Sequence, residues 1–405
     1  MNKNDTLLSG KPQVKKVPPK GDLGGCFSIA FDAKRLFHNN TGLGNYSRTL
    51  LKGLYTYFPE NTYELFTPKL SAKAEYDFFA QNFTVHTAPK YMPKSLWRSR
   101  FITQDLLRNK VDLYHGLSHE LPFGIEKTGI KTVVTIHDLV YKFFPEDFPL
   151  IDRTIYEKKW RHSCRNATAI IATSEATKRD IVRYFGTDEK RIHVVYQTCD
   201  ESFERRAEPA QIAECKRRLN LPDTYILYVG SVTERKNVLN LVQAYNRVRA
   251  KIAMPLVIVG RGGEYFKKVQ HYVEQENLQQ SVLLLNSVGN ADLPLLYQAA
   301  HCFVYPSKYE GFGIPLVEAL KSGTPIVTGQ ASCLPEVAGK AALYVNPNSV
   351  QSIADALEQI CLHSNTRINL LEEGAKQAQK FSVRNFVENT VRVYGGVDFF
   401  TSHTV

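Results

Sequence analysis

The sequence predicts an α/β protein made of two Rossmann-like domains whose parallel sheets face each other across a cleft. Three observations carry that prediction. Continuous apolar runs of strand length, such as Lys131–Asp138 and Pro255–Gly260, recur along the chain with helical patterns between them. Runs apolar on both faces suit strands of a parallel sheet covered by helices on each side. The series also breaks once, at a polar, charged stretch from about Asp200 to Asp223, and then restarts. Finally, 405 residues are enough for two domains, or at most three.

Taken in order, residues 1–25 are polar and carry lysines, prolines and glycines without the apolar core of a signal peptide. They are expected to be a disordered leader. A first domain then spans 26–198. Its strands are expected at Phe27–Asp32, Val111–His115, Lys131–Asp138, Ala169–Glu175 and Arg191–Tyr196. After the first strand a long loop ends in Thr41-Gly42-Leu43-Gly44-Asn45-Tyr46, and a helix follows from about Ser47 through Leu54. A glycine pair ahead of a helix can bring backbone amides to a phosphate, or make a plain turn. His115 and His137 end two strands, where ligands of open α/β sheets gather. Ser174 suits the cap of the next helix. Lys90–Lys110 is basic and aromatic: a helix packing on the sheet, or one lying on a membrane surface.

The second domain, 199–380, has strands at Thr224–Gly230, Pro255–Gly260, Ser281–Leu285, Cys302–Pro306 and Pro325–Thr328. A helix is expected from Val238 to Arg249, and a last one from Phe381 to Tyr394 within a terminal segment, 381–405, that crosses back to the first domain.

Composition narrows the function. Hydrophobic residues make up 43% and charged residues 22%, as in packed globular proteins. No apolar run approaches the ~20 residues of a membrane span. Seven cysteines without a C-x-x-C pair argue against a disulfide framework or zinc site and suit a reducing cytoplasm. No third ligand stands near His115 and His119, so no metal is expected. The net charge of +11 favours an anionic partner, either a phosphorylated ligand or an acidic membrane surface at the inner face of the membrane. No nucleic-acid-binding signature is present, and nucleic acid is not expected.

The most informative stretch is Glu310-Gly-Phe-Gly-Ile-Pro-Leu-Val-Glu318, directly after an apolar strand. Pro315 suits the first position of a helix and Gly323 the residue past its end. Glu310 is therefore expected in the strand-to-helix loop and Glu318 in the helix's first turn. Gly311 and Gly313 allow close backbone approach. Free amides and the positive end of the helix favour a phosphate, and the two carboxylates can accept hydrogen bonds from sugar hydroxyls. Arg235 and Lys236 share that sheet edge and could neutralise a departing diphosphate. A P-loop and the G-x-S-x-G elbow are both absent. Gly260-Arg261-Gly262-Gly263 lacks the third spaced glycine of a dinucleotide fingerprint.

Residues from about 26 to 395 resemble a retaining glycosyltransferase of family 4, with the GT-B fold. The resemblance rests on Gly42–Tyr46, His137-Asp138, Thr173-Ser174-Glu175, Gly230–Asn237, Pro306–Glu318 and Leu334–Gly339 in that order. It implies that Glu310 binds donor-sugar hydroxyls and Glu318 the ribose. It also implies that amides of Phe312, Gly313, Ile314 and Leu316 approach the diphosphate. Arg235 and Lys236 would stabilise the leaving nucleoside diphosphate, His137 would touch the donor sugar, and Gly44 the phosphates. Gly230 and Ser231 open the nucleotide loop. Many members carry Arg where Ser231 stands. Arg235 beside Lys236 and Asn237 matches the Arg-Lys-Asn variant of mannosyltransferase-like members. Many also have Asn-Gly where this chain has Gln197-Thr198.

The expected function is metal-independent, retaining transfer of a hexose from a nucleotide sugar, with GDP-mannose ahead of a UDP-hexose, to a glycan or polyprenyl-linked acceptor in polysaccharide synthesis. Peripheral contact with an anionic membrane is expected alongside. The rivals are a nucleotide-sugar-binding protein without activity and a dinucleotide-dependent oxidoreductase.

Overall fold

The structure, a computed structural model, describes residues 27–71, 73 and 76–396. The expected leader, residues 1–25, and residues 397–405 lie outside the described residues.

Seven parallel strands form the first sheet: β1 (Ser28–Asp32), β2 (Thr62–Thr67), β3 (Thr84–Thr87), β4 (Leu113–Gly116), β5 (Lys131–Ile136), β6 (Ala169–Ala172) and β7 (Ile192–Val194). Their order is β3-β2-β1-β4-β5-β6-β7. Six more parallel strands form the second sheet: β8 (Ile226–Val229), β9 (Leu256–Val259), β10 (Val282–Leu285), β11 (Cys302–Tyr305), β12 (Ile326–Gly329) and β13 (Ala342–Val345), in the order β10-β9-β8-β11-β12-β13. In both sheets the strand order reverses beside the first strand, so a crevice opens at the carboxyl edge there. The second sheet is buried in one continuous apolar core. The first is covered by two layers, one on each face.

Three strands escape the sequence pattern. In β2, Glu64 points inward among apolar residues and is held by Ser28 Oγ at 3.2 Å and His86 Nε2 at 2.7 Å. The strands β3 and β13 are short edge strands, where half-exposed side chains dilute the apolar signal.

Helix boundaries also shift. The helix expected from Ser47 begins at Gly42 and runs to Tyr57. Asn39 Oδ1 accepts hydrogen bonds from the amides of Thr41 (2.8 Å) and Gly44 (3.2 Å), so the glycine pair lies inside the first turn rather than before it. The expected loop before it also contains a short helix, Lys34–His38. The helix expected within Lys90–Lys110 runs without a gap from Lys94 to Arg108, with a π turn at Trp97–Phe101, and packs Trp97, Ile102 and Leu106 inward. Trp97 is buried and donates from Nε1 to Asp105 at 2.7 Å.

The last helix, Val383–Gly395, lies on the first domain. Phe386 and Val387 pack against Gly42–Tyr57, and a Cβ on Gly53 would stand 2.4 Å from Val387. Tyr394 OH bonds His115 Nδ1 at 2.7 Å, and Thr135 Oγ1 bonds its Nε2 at 2.8 Å, which makes His115 a fully committed core residue. The chain thus passes between domains twice, and Thr198 donates to Phe381 O where the two passages meet.

Candidate active site

The helix Ile314–Ser322 follows β11 through the Pro306–Gly313 loop. It starts one residue before Pro315, and Glu318 opens its second turn rather than sitting in the first. Gly313, at φ +95°, caps it, a conformation that favours glycine, and Gly323, at φ +67°, ends it.

Glu310 is the centre of a buried charge cluster. Its Oε1 accepts from Lys236 Nζ at 2.5 Å, Arg235 NH1 at 3.0 Å, Ser307 Oγ at 2.6 Å and Tyr305 OH at 3.0 Å. Lys236 Nζ also donates to Tyr305 OH. Burial alone would raise the Glu310 carboxyl, but Lys236 and Arg235 outweigh it and hold it at about 2. Burial lowers Lys236 in turn, and Glu310 restores part of the loss. Glu310 is therefore ionised at neutral pH. Asn237 fixes the two cations. It adopts φ +64°, which Asn tolerates, caps the helix Val238–Ile252, and ties its side chain to Pro306 O (3.2 Å) and Pro347 O (2.6 Å).

The first domain closes directly over this loop. Gly311 O accepts from Ser174 Oγ at 2.7 Å, Thr177 Oγ1 at 3.1 Å and Thr173 Oγ1 at 3.3 Å. A Cβ on Gly311 would stand 2.0 Å from His137 O. Thr173 Oγ1 also bonds that His137 carbonyl at 2.8 Å. Further along, Glu336 Oε1 accepts from the Glu175 amide at 2.7 Å. His137 therefore presents its carbonyl to the loop. Its ring is buried, bonds Leu117 O through Nε2 at 2.9 Å, and is held down at about 4 chiefly by burial, so it is neutral.

Asp138 stands in the His137-Asp138 motif, but sequence reading assigned it no role in the site. It faces Arg235, Glu310 and Lys236 from the opposite domain, accepts from the Val140 amide at 3.1 Å, and is raised above the usual carboxylate range mainly by burial. Its signal was its place directly after a strand-end histidine. Tyr305 and Ser307 were hidden because they read as strand core and linker.

Glu318 lies on the wall of a separate part of the cleft, about 700 Å³ in volume, with Gly42, Asn45, Thr198, Arg205 and Ile314. Tyr297 OH donates to its Oε2 at 2.9 Å, and burial raises its carboxyl to about 7. Gly44 does not line this cleft wall. It is buried, its amide serves Thr41 O (3.0 Å) and Asn39 Oδ1, and a Cβ there would meet Asn39 O at 1.7 Å.

The remaining loop positions divide by use. The ring of Phe312 is buried beside Tyr196 and Phe381. Leu316 is in the core and its amide already serves Gly313 O at 2.9 Å, whereas the Ile314 amide stands at the open start of the helix. Gly230, at φ +153°, lets its carbonyl pass so close to Gly260 that a Cβ there would be 1.8 Å away. Ser231 is exposed, and its carbonyl accepts from Tyr228 OH at 2.9 Å. Among the described residues, no group of three or more His, Cys, Asp or Glu is placed to hold a metal ion.

Comparison with known proteins matches this geometry to a family. Residues 41–203 match the model of Glycosyltransferase Family 4, and residues 212–377 that of Glycosyl transferases group 1. The chain is 34% identical over 286 residues to an O-antigen chain mannosyltransferase B of Escherichia coli, covering 70% of this chain and 74% of that one. It is 26% identical over 337 residues to the O-antigen chain mannosyltransferase RfbU of Salmonella typhimurium, covering 80% and 89%. In three dimensions it is similar to a glycosyltransferase from Rickettsia africae, with TM-score 0.72, 15% identity and coverage of 92% and 98%. It is also similar to HepE of Anabaena in complex with UDP and glucose, with TM-score 0.71, 18% identity and coverage of 91% and 99%. The two facing sheets are the GT-B fold, and the chain belongs to the family 4 glycosyltransferases, as a mannosyltransferase-like member.

Proposed function

We propose that the protein moves mannose from GDP-mannose to a glycan or lipid-linked acceptor in polysaccharide synthesis, with retention of configuration and without a metal. One observation carries the proposal: two cations converge on a single oxygen of Glu310 at the carboxyl edge of the second sheet, where the first domain closes. The donor sugar lies against Glu310, whose carboxylate accepts hydrogen bonds from its hydroxyls. Arg235, Lys236 and the amides at the start of Ile314–Ser322 face the diphosphate. Glu318 takes the ribose. The bond from the anomeric carbon to the phosphate oxygen breaks as the acceptor oxygen bonds on the same face, and the acceptor's proton passes to the departing phosphate. Charge grows on that phosphate in the transition state, where fixed cations and amides act most strongly.

The choice of mannose draws on the relatives, which are named mannosyltransferases. A UDP-hexose is the second reading, because HepE, of like fold, binds UDP and glucose. A screen of GDP- and UDP-sugars, with mass analysis of products and NMR assignment of the new anomer, decides between them. An inverted product, or activity abolished by chelator, would sink the mechanism. Among the described residues, no helix is long and apolar enough to cross a membrane. Contact with an anionic membrane is proposed through the exposed basic face of the first domain.

A further inference from the structure

Tyr309 stands just before Glu310 in the loop after β11, yet its side chain is held by the first domain. Its ring stacks on that of Phe143 at 4.3 Å and 27°, and its hydroxyl donates to Asp180 Oδ2 at 2.5 Å. Phe143 ends the helix Val140–Phe143, and Asp180 lies on Glu175–Phe185. Tyr309 is only 7% exposed, so its hydroxyl is withdrawn from water and relies on Asp180. A phenylalanine would stack on Phe143 equally well; the hydroxyl serves the crossing to Asp180. The same helix grips the loop a second time. Ser174, Thr177 and Asp180 recur at intervals of three from its cap, along one stripe. The first two hold Gly311 O, and the third holds Tyr309. Glu310, between them, turns back into its own charge cluster.

The backbone of Tyr309 serves the second domain instead. Its carbonyl accepts from Arg235 Nη1 at 2.5 Å and from Ser307 Oγ at 3.2 Å. Arg235 Nη1 also reaches Glu310 Oε1 at 3.0 Å, and Arg235 O accepts from the Lys308 amide at 2.9 Å. The guanidinium is therefore aimed by two adjacent loop residues, one of which is fastened to the opposite domain. Asp138, which faces Arg235, belongs to the segment that carries Phe143, so the two come and go together.

We propose that Tyr309 is a positioning residue that couples domain closure to the aim of Arg235: its hydroxyl on Asp180 and its ring on Phe143 fix the loop against the first domain, and its carbonyl then holds the guanidinium toward the donor's diphosphate. The inference rests on the reading that Arg235 faces that diphosphate. When the domains part, Tyr309 loses Asp180 and Phe143, its carbonyl is free to move, and Arg235 loses one of the two partners that aim it. A cation that swings stabilises departing charge less than a fixed one. Donor bound to the open protein is thereby kept from cleavage until the acceptor domain has closed.

The test uses the full chain and follows nucleoside diphosphate release from GDP-mannose and from UDP-glucose. Hydrogen exchange of the free protein is read in parallel. With the donor that is turned over, Tyr309→Phe and Asp180→Ala should each lower kcat about tenfold, while affinity for the matching nucleoside diphosphate stays within about threefold of wild type. Asp180→Asn, which keeps an acceptor oxygen, should recover part of the rate. The two changes together should be no slower than either alone, since they break one contact from its two sides. In an Arg235→Gln background Tyr309→Phe should cost less than about twofold, because the group it positions is gone. An undiminished loss in that background makes Tyr309 interdomain packing only and overturns the proposal, as does wild-type kcat in both single variants. The amides of residues 309–313 should exchange faster in Tyr309→Phe and Asp180→Ala than in wild type, and equal rates overturn the coupling. If neither donor is turned over, the donor reading fails instead, and the exchange comparison alone decides.

Discussion

At the scale of single residues, the two glutamates of the Glu310–Glu318 stretch sit in opposite electrostatic surroundings. Glu310, held at about 2, is a permanent anion, whereas Glu318, at about 7, lacks any cation close enough to offset its burial. The consequence for stability follows from the sign. A carboxyl raised from 4.5 to about 7 favours the folded state below 4.5, and that contribution is lost as pH rises through about 7. Glu318→Gln should therefore raise the melting temperature above about pH 8 and leave it unchanged near pH 4; equal shifts at both would show another cause. Glu318→Ala should weaken donor binding about 10- to 100-fold, for the loss of a charged hydrogen bond of ~1.5–3 kcal/mol. Calorimetry with the donor checks it. Lys236→Ala should lower kcat more than donor affinity, since the departing charge grows toward the transition state. It also removes one of two cations from a buried carboxylate, and breaking such a pair can cost up to about 3–5 kcal/mol. Lys236→Met with Glu310→Gln should restore the melting temperature but not the turnover. Recovery of both would make the cluster structural.

At the scale of elements, the strands that could be read, β1 and β4 to β12, announce themselves as apolar runs. Periodicity fails where a strand is half-covered, as in β3 and β13, or carries a buried acid, as Glu64 does in β2. It fails again where a side chain just ahead of a helix sets its boundary. Asn39 holds the amides of Thr41 and Gly44 at the start of the helix, whereas its apolar periodicity becomes readable only from Ser47. The site was legible to a similar depth. Glu310, Arg235 and Lys236 could be placed on one sheet edge from strand and helix signals, but Asp138 joins them only through domain closure, which one sequence does not display. Closure depends on the Gly311 element. Its carbonyl takes hydroxyls from the start of the helix Glu175–Phe185, and its missing side chain leaves room for His137 O. Gly311→Ala should push the domains apart and lower turnover about 100-fold, as a shift of about 1 Å in aligned groups can. Nucleoside diphosphate binding, made within the second domain, should stay within about threefold of wild type. Turnover near wild type would mean that closure tolerates the extra carbon.

At the scale of the whole molecule, the charge of +11 is not consumed by the site. Arg235 and Lys236 are balanced locally by Glu310, and Arg98 by Asp32 and Glu120. Much of the excess stands on the outside of the first domain. Lys90, Lys94, Arg100, Arg108 and Lys110 are exposed there, interleaved with Tyr91 (85% exposed), Leu96 (44%) and Leu107 (51%). The burial of Trp97 removes the largest anchor the sequence offered, so apolar insertion is weaker than an outward-facing Trp97 would give. Attraction must then come mainly from charge, at about 1 kcal/mol per Lys or Arg near an anionic surface. Sedimentation with vesicles containing phosphatidylglycerol should carry the protein down at low salt. Binding should fall steeply as ionic strength rises and the screening length shrinks to about 8 Å. Neutral phosphatidylcholine vesicles should leave it in solution. Replacing Lys90, Lys94 and Arg100 together by Gln should abolish sedimentation while leaving donor turnover on a soluble acceptor unchanged, because these side chains lie outside the cleft. Binding that ignores salt, or that persists in the triple variant, would move the membrane face elsewhere, with Leu150, Ile151 and Ile155 as the next exposed apolar strip to mutate.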